Sequence, residues 1–182
     1  MNLDRVPAGN DVPNDCNVII EIPMRGDPIK YEVDKETGAV FVDRFMSTAM
    51  HYPCNYGYIP RTLSDDGDPS GRAGALADAA HHRRRRSLPA DRHAENGRRG
   101  GRRRRRSLAV PTDKLTGLYR AIQSPRDLPE ITTRQIAHFF EHYKDLEPGK
   151  WVRVSTWVGA EEAKAEILAS VARYQAAQPA KP

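Results

Sequence analysis

A chain of 182 residues suffices for one domain with a sizeable core. It has no apolar run of the about 18 residues that a membrane helix needs, and its start is too polar for a secretory signal, which predicts a soluble cytoplasmic protein. The formal net charge of +5 is unevenly spread, because residues 70–107 hold 13 Arg and 3 acidic residues, whereas the remainder holds 16 basic and 21 acidic residues. The remainder is therefore acidic, and the overall charge does not identify a nucleic-acid binder.

The first part of the chain predicts short strands joined by turns. Runs of β-branched or alternating residues mark the strands, and Gly, Pro and Asp mark the turns, which favours an antiparallel meander. The predicted strands are 17–22, 29–33 and 39–42. In the second of these, alternation places Lys30 and Glu32 on one face and the apolar residues on the other.

Residues 70–107 form an arginine-rich segment that contains neither an aromatic residue nor Val or Ile. Two runs of consecutive arginines lie at 83–86 and 102–106. Like charges repel, and little apolar surface is present to offset the entropy of ordering. The composition therefore predicts that this segment is disordered or loosely helical.

Helical periodicity begins after residue 120. Asp127 and Glu130 have the spacing of a capping box, and large apolar side chains follow at helical intervals, which predicts a helix over 128–145. Alternation over 151–157 predicts a strand, and 160–176 predicts a second helix.

The acidic turn at 65–69 is the densest polar cluster outside the arginine-rich segment. Carboxylates on a turn can hold hard cations such as Mg²⁺, although most acidic turns bind nothing. Arg44, Tyr52 and Tyr56 are close in sequence, and together with Lys30 and Glu32 they could share one cavity with these carboxylates. Such a cavity would suit a phosphate compound.

Several motifs occur in a fixed order along the chain. Before the arginine-rich segment they are VPAG at 6–9, EIP at 21–23, DPIKYE at 27–32, FVDRFMSTAM at 41–50, YPCNYGYI at 52–59 and DGDP at 66–69. After it they are LAVP at 108–111 and QIAHFFEHYKDLE at 135–147. Over about 1–69 and 108–176 the chain thereby resembles family I soluble inorganic pyrophosphatases of the bacterial type.

This resemblance implies an α+β fold, in which a small antiparallel β-barrel of the OB-like kind has two C-terminal helices packed outside. It implies an enzyme that hydrolyses inorganic diphosphate to two phosphates with a water activated by Mg²⁺. It also implies a homo-oligomer, which is a hexamer in the bacterial family. Residues 1–182 would then be a single pyrophosphatase-like domain that the segment 70–107 interrupts.

The resemblance also implies residue roles. The residues expected to bind substrate phosphate are Lys30, Arg44, Tyr56, Tyr143 and Lys144. Asp66 is expected to bind the metal, and Asp68 to bind it and to act as the general base. The residues expected to line the cavity are Glu21, Glu32 and Tyr52.

Residues 70–107 depart from the family. The family has a metal-binding aspartate soon after Pro69 and, just before Leu108, two more together with a phosphate-binding lysine, whereas this chain has Ser70, Gly71 and Arg72 and the arginines at 102–106. Loss of these carboxylates predicts that most or all activity is lost. The alternative function is a catalytically dead or misread product whose arginine runs bind nucleic acid or other polyanions nonspecifically.

A change of reading frame would account for this departure. Codons that specify residues 70–74 can, when read one nucleotide later, specify Val-Asp-Val-Leu, which is an apolar strand with an aspartate. Codons for glycine, alanine and aspartate in GC-rich sequence specify arginine in the neighbouring frame. The hypothesis is that the gene segment for 70–107 is read out of frame.

Overall fold

The structure is a computed structural model that describes residues 3–34, 37–64, 73–75, 85–88, 94–96, 103–104, 107–154, 157 and 159–178. Its strands are β1 (Gly9–Asp11), β2 (Asp15–Cys16), β3 (Ile19–Ile22), β4 (Ile29–Val33), β5 (Val40–Phe45), β6 (Asn55–Tyr58), β7 (Ala73–Ala75), β8 (Arg85–Leu88), β9 (Ala94–Asn96), β10 (Arg103–Arg104), β11 (Leu108–Pro111) and β12 (Val152–Val154). Its helices are α1 (Glu130–His142) and α2 (Ala160–Ala177), with short 3₁₀ helices at Leu3–Arg5, Gly117–Tyr119 and Pro125–Asp127.

These strands form three sheets. The largest has the order β1-β2-β8-β11-β7-β6-β3, a second has the order β10-β9-β12, and β4 pairs with β5 alone. All pairs are antiparallel except that of β7 with β11. The predicted α+β fold is confirmed, because small and mainly antiparallel sheets are combined with two C-terminal helices.

The predicted meander is wrong in one pairing, because β3 pairs with β6 and not with β4. The turn after β3 explains the difference. The backbone N–H of Met24 donates to Oδ1 of buried Asn55 at 2.8 Å, and that of Arg25 donates to the carbonyl of Tyr52 at 2.9 Å. These bonds tie the end of β3 to the segment that enters β6.

Helix α1 begins at Glu130, two residues later than predicted, and ends at His142. The carboxylate of Asp127 caps the preceding 3₁₀ helix, because it accepts the N–H groups of Gln123 at 2.9 Å and Ser124 at 2.7 Å. These backbone hydrogen bonds lower the pKa of Asp127. The capping box therefore joins Ser124 to Asp127, and the predicted pairing of Asp127 with Glu130 is wrong.

Each helix packs against the sheets through one apolar cluster. The larger cluster joins α1 to strands β3, β6, β11 and β12, and its members include Ile22, Tyr52, Tyr56, Val110, Ile136, Phe139 and Phe140. The smaller one joins α2 to the N-terminal strands and consists of Ala8, Cys16, Val18, Ile59 and Ile167. In the described part of the chain, no helix is long and apolar enough to span a membrane.

The arginine-rich segment contributes four short strands, β7 to β10, among the residues that the structure describes. Strand β11 pairs with β7 and β8, and β12 pairs with β9. The prediction of disorder is wrong at these strands. Composition misses them because ladder hydrogen bonds join backbone groups, which every residue except proline supplies in full.

Candidate active site

The β4–β5 hairpin places several charges around one buried amine. Lys30 is opposite Arg44 in the ladder, and the register shifts immediately afterwards, so that Tyr31 is opposite Val42 and Asp43 is the extra residue of a β-bulge. Lys30 Nζ contacts Oε1 of Glu32 and is 2.7 Å from Oδ2 of Asp43. The predicted shared face of Lys30 and Glu32 is present.

Burial explains why this amine needs two carboxylates. The side chain of Lys30 is 9% exposed, whereas those of Glu32 and Asp43 are 49% and 32% exposed. An ammonium group withdrawn from water is stable only when it is paired and hydrogen-bonded. The hairpin therefore holds a buried positive charge with two partly hydrated anions beside it.

Arg44 extends this arrangement to the chain that follows α1. Its Nε is 3.5 Å from Oδ2 of Asp43, and its Nη1 is 3.5 Å from Oε2 of Glu147. The same Glu147 oxygen contacts Nζ of Lys150. Positive and negative groups therefore alternate in a charge chain that consists of Lys30, Asp43, Arg44, Glu147 and Lys150.

Glu147 is ionised within this chain of charges. Burial acts to raise its pKa, but the hydrogen bond from Lys150 and the positive charges of Arg44, Lys150 and Lys144 outweigh burial and lower the pKa below its ordinary value. Its carboxylate is therefore an anion at neutral pH, with three cations around it.

An aromatic group lies at the C-terminal end of α1. The rings of Tyr52 and Tyr56 are 5.3 Å apart between centroids, and that of Tyr52 is 4.6 Å from Phe139. Phe139 in turn stacks on Tyr143 at 5.3 Å, and Nζ of Lys144 is 5.4 Å from the Tyr143 ring centroid. Helix packing thus brings the three predicted tyrosines and Lys144 together, with the tyrosine rings buried in the core.

Glu21 adjoins the hairpin, since its Oε1 accepts the backbone N–H of Val33 at 3.4 Å. The structure therefore brings two groups together from the predicted set. The hairpin group is Glu21, Lys30, Glu32 and Arg44, and the helix group is Tyr52, Tyr56, Tyr143 and Lys144. Arg44 of the hairpin contacts Glu147, whose backbone N–H donates to the carbonyl of Lys144 at the end of the helix group.

Asp66 and Asp68 lie outside the described residues, so their predicted roles in metal binding and catalysis stay predictions. Among the residues that are described, no group of three or more His, Cys, Asp or Glu side chains is arranged to hold a metal ion. The carboxylates of Glu32, Asp43 and Glu147 are paired with cations. The described residues alone therefore do not form a metal site.

Three members of the charge chain were not predicted from the sequence, namely Asp43, Glu147 and Lys150. A strand register that opposes residues 30 and 44 would have placed Asp43 near Lys30. The contact of Glu147 with Arg44 spans about a hundred residues of sequence, and local spacing gives no signal for it.

Comparison with known proteins identifies the family. The family model described as "Inorganic pyrophosphatase" matches residues 18–71 and 99–175. The inorganic pyrophosphatase of Escherichia coli strain K12 is 53% identical in an alignment of 183 positions that covers 95% of this chain and 98% of that protein. The inorganic pyrophosphatase of Pseudomonas aeruginosa is 48% identical and covers 96% of this chain and 99% of that protein.

Solved structures agree with the sequence relatives. An inorganic pyrophosphatase from Coxiella burnetii has a TM-score of 0.84 and 45% identity over 93% of this chain and 99% of its own. One from Thermus thermophilus has a TM-score of 0.81 and 35% identity over 96% of this chain and 99% of its own. From its motifs, its fold and these relatives, the chain belongs to the family of soluble inorganic pyrophosphatases, enzymes that hydrolyse inorganic diphosphate and require a divalent metal ion.

Proposed function

We propose that this chain binds inorganic diphosphate between the β4–β5 hairpin and the C-terminal end of α1. The observation that carries the proposal is the contact of Arg44 with Glu147, because it ties the hairpin to the chain that follows α1, three residues after Lys144. Two predicted phosphate-binding cations, Arg44 and Lys144, both act on the Glu147 carboxylate, and the third, Lys30, shares Asp43 with Arg44. Tyr56 and Tyr143 would add phenolic hydroxyls as hydrogen-bond donors.

The charges suit a small and strongly anionic substrate. The ammonium of Lys30 acts as a compact charge, whereas the planar guanidinium of Arg44 can donate two parallel hydrogen bonds to one phosphoryl group. Both side chains are held by carboxylates before any substrate arrives. Such preorganised cations stabilise charge that develops during phosphoryl transfer.

Mg²⁺ is the proposed metal, with Asp66 and Asp68 as its ligands and Asp68 as the general base. When bound, the cation would supply positive charge to phosphoryl oxygens and lower the pKa of a water molecule. Glu21, Glu32 and Tyr52 would line the same cavity. The contact of Glu21 with β4 and the contact of Glu32 with Lys30 support this placement of the two carboxylates.

Activity below that of the relatives is also proposed. The family model leaves residues 72–98 unmatched, and this range lies within the segment that lacks the expected aspartates. Residues 1–182 would be one domain interrupted at 70–107. Sequencing of the gene tests the reading-frame hypothesis, which fails when no one-nucleotide shift recovers an apolar strand containing aspartate.

A homo-oligomer in the cytoplasm is the proposed working form. Four apolar side chains of β5 are more than half exposed, which supports burial against another copy of the chain. They are Val40, Phe41, Val42 and Phe45. Sedimentation velocity of the purified chain tests the oligomeric state, and a monomer at micromolar concentration would contradict it.

Phosphate release from inorganic diphosphate with Mg²⁺ tests the function. Turnover that is abolished in Lys30→Ala and in Asp68→Asn, and retained in Glu161→Gln, would support the proposal. Glu161 is a matched control because its side chain is exposed and pairs with Lys164 on α2, outside both groups of predicted site residues. No turnover together with steeply salt-dependent DNA binding would favour the inert polyanion binder instead.

A further inference from the structure

We propose that Glu147 is a positioning residue that holds the guanidinium of Arg44 in the orientation that binds diphosphate. The inference rests on the proposed role of Arg44 in binding the substrate. Glu147 ends the motif at 135–147 but was given no role there, and the inference assigns it an effect on substrate affinity.

Arg44 is restrained by two anions on different elements. Oδ2 of Asp43 contacts Nε from the same strand, and Oε2 of Glu147 contacts Nη1 from the chain that follows α1, each at 3.5 Å. The Arg44 side chain is 35% exposed, so without the second contact its outer end would retain several rotamers. Restraint before binding reduces the entropy that is lost when substrate orders the side chain.

Glu147 is itself rigidly held. Its backbone N–H donates to the carbonyl of Lys144 at 2.9 Å, and its own carbonyl accepts the N–H of Lys150 at 3.1 Å. Its side chain is 13% exposed and contacts Nζ of Lys150. Two consecutive turns and Lys150 therefore hold the carboxylate in place, close in sequence to the predicted phosphate ligand Lys144. In that place it can restrict the orientation of the Arg44 guanidinium.

Whether neutralising Glu147 raises or lowers the affinity for diphosphate distinguishes a positioning role from simple electrostatic repulsion. A carboxylate near the site repels anionic diphosphate, so neutralising it would tighten binding if charge alone mattered. If Glu147 acts by orienting Arg44, the same neutralisation weakens binding, and it does so only while Arg44 is present. The two roles therefore predict opposite changes for Glu147→Gln.

Isothermal titration of the full chain with imidodiphosphate, a non-hydrolysable diphosphate, in the presence of Mg²⁺ provides the test. We expect Glu147→Gln to weaken binding about fivefold, the equivalent of about 1 kcal/mol. In an Arg44→Met background the same substitution should have no further effect. Glu161→Gln, which disrupts an exposed Glu–Lys pair of the same i,i+3 spacing, should leave affinity unchanged.

Three results would overturn the inference. Binding that is unchanged or tighter in Glu147→Gln would exclude positioning, as would an equal loss in the Arg44→Met background. If Arg44→Met itself leaves affinity unchanged, the proposed role of Arg44 fails, and the inference fails with it. If Arg44→Met weakens binding but Glu147→Gln does not, the inference about Glu147 fails while the proposed role of Arg44 stands. Thermal denaturation of each variant verifies that it is folded.

Discussion

Arg173 of α2 holds the backbone of the segment that leads to Asp66 and Asp68, and its removal gives a sharp test of the structure. Nε of Arg173 donates to the carbonyl of Leu63 at 2.8 Å, and its Nη2 is 2.5 Å from Oε1 of Glu166. The N–H of Leu63 donates to the carbonyl of Ser170 at 3.0 Å. Both backbone groups of Leu63 are therefore bound to α2.

Arg173→Met would leave the Glu166 carboxylate, which is 13% exposed, without this cation. Breaking a fully buried pair costs about 3–5 kcal/mol, but the Arg173 side chain is 29% exposed, so water reduces the expected loss to about 2 kcal/mol. In a chain of this size that loss lowers the melting temperature by about 4–8 °C.

Circular dichroism during heating measures this change. The matched control is Lys164→Met, which removes the cation of the exposed i,i+3 pair with Glu161 on the same helix and should cost at most about 0.5 kcal/mol. In the double variant Glu166→Gln with Arg173→Met the loss should shrink, because no charged carboxylate is left without its cation. Equal melting temperatures for Arg173→Met and Lys164→Met would refute the reasoning.

Two further variants test the packing and the charge chain. In Gly57→Ala the added Cβ would lie 1.9 Å from the carbonyl oxygen of Ile19, so β6 must separate from β3, and thermal denaturation should show a loss of more than about 2 kcal/mol; an unchanged midpoint would contradict the close approach. The pKa of Glu147 is lowered from its ordinary value of 4.5, so its ionised form stabilises the fold above that value, and the stabilisation is lost as the pH falls through the lowered pKa. Urea denaturation should therefore show Glu147→Gln to be less stable than the unaltered chain at neutral pH, with the difference vanishing on acidification; a difference that grows in acid would contradict the sign.

Local side-chain periodicity was sufficient to predict the bounds of β4 and α2. Strand β4 has the predicted bounds Ile29–Val33, and α2 ends one residue beyond its predicted end. Both follow from periodic side chains bounded by turn residues. The start of α1 was displaced because Asp127 bonds to the backbone N–H groups of Gln123 and Ser124, and residue spacing alone cannot distinguish this capping box from one that begins a turn later.

Pairing between distant segments was less predictable. The bulge at Asp43 adds one residue to β5, and this extra residue brings a second carboxylate to Lys30. No side-chain pattern encodes such a shift. The contact of Arg44 with Glu147 likewise depends on how α1 packs against the sheets, so the residues that orient the predicted cations were found only in the structure.

The arginine-rich segment shows that the requirements for sheet pairing differ from those for a metal site. Strands β7 to β10 take part in the ladders because backbone N–H and carbonyl groups pair whatever side chains they carry. A metal site, in contrast, requires carboxylates at particular positions, and arginines there repel the cation. A segment read out of frame could therefore occupy its place in the sheets while it removes ligands for the metal. Structural similarity to other inorganic pyrophosphatases is therefore compatible with the reduced activity proposed for this chain, since function resides in the site and not in the fold.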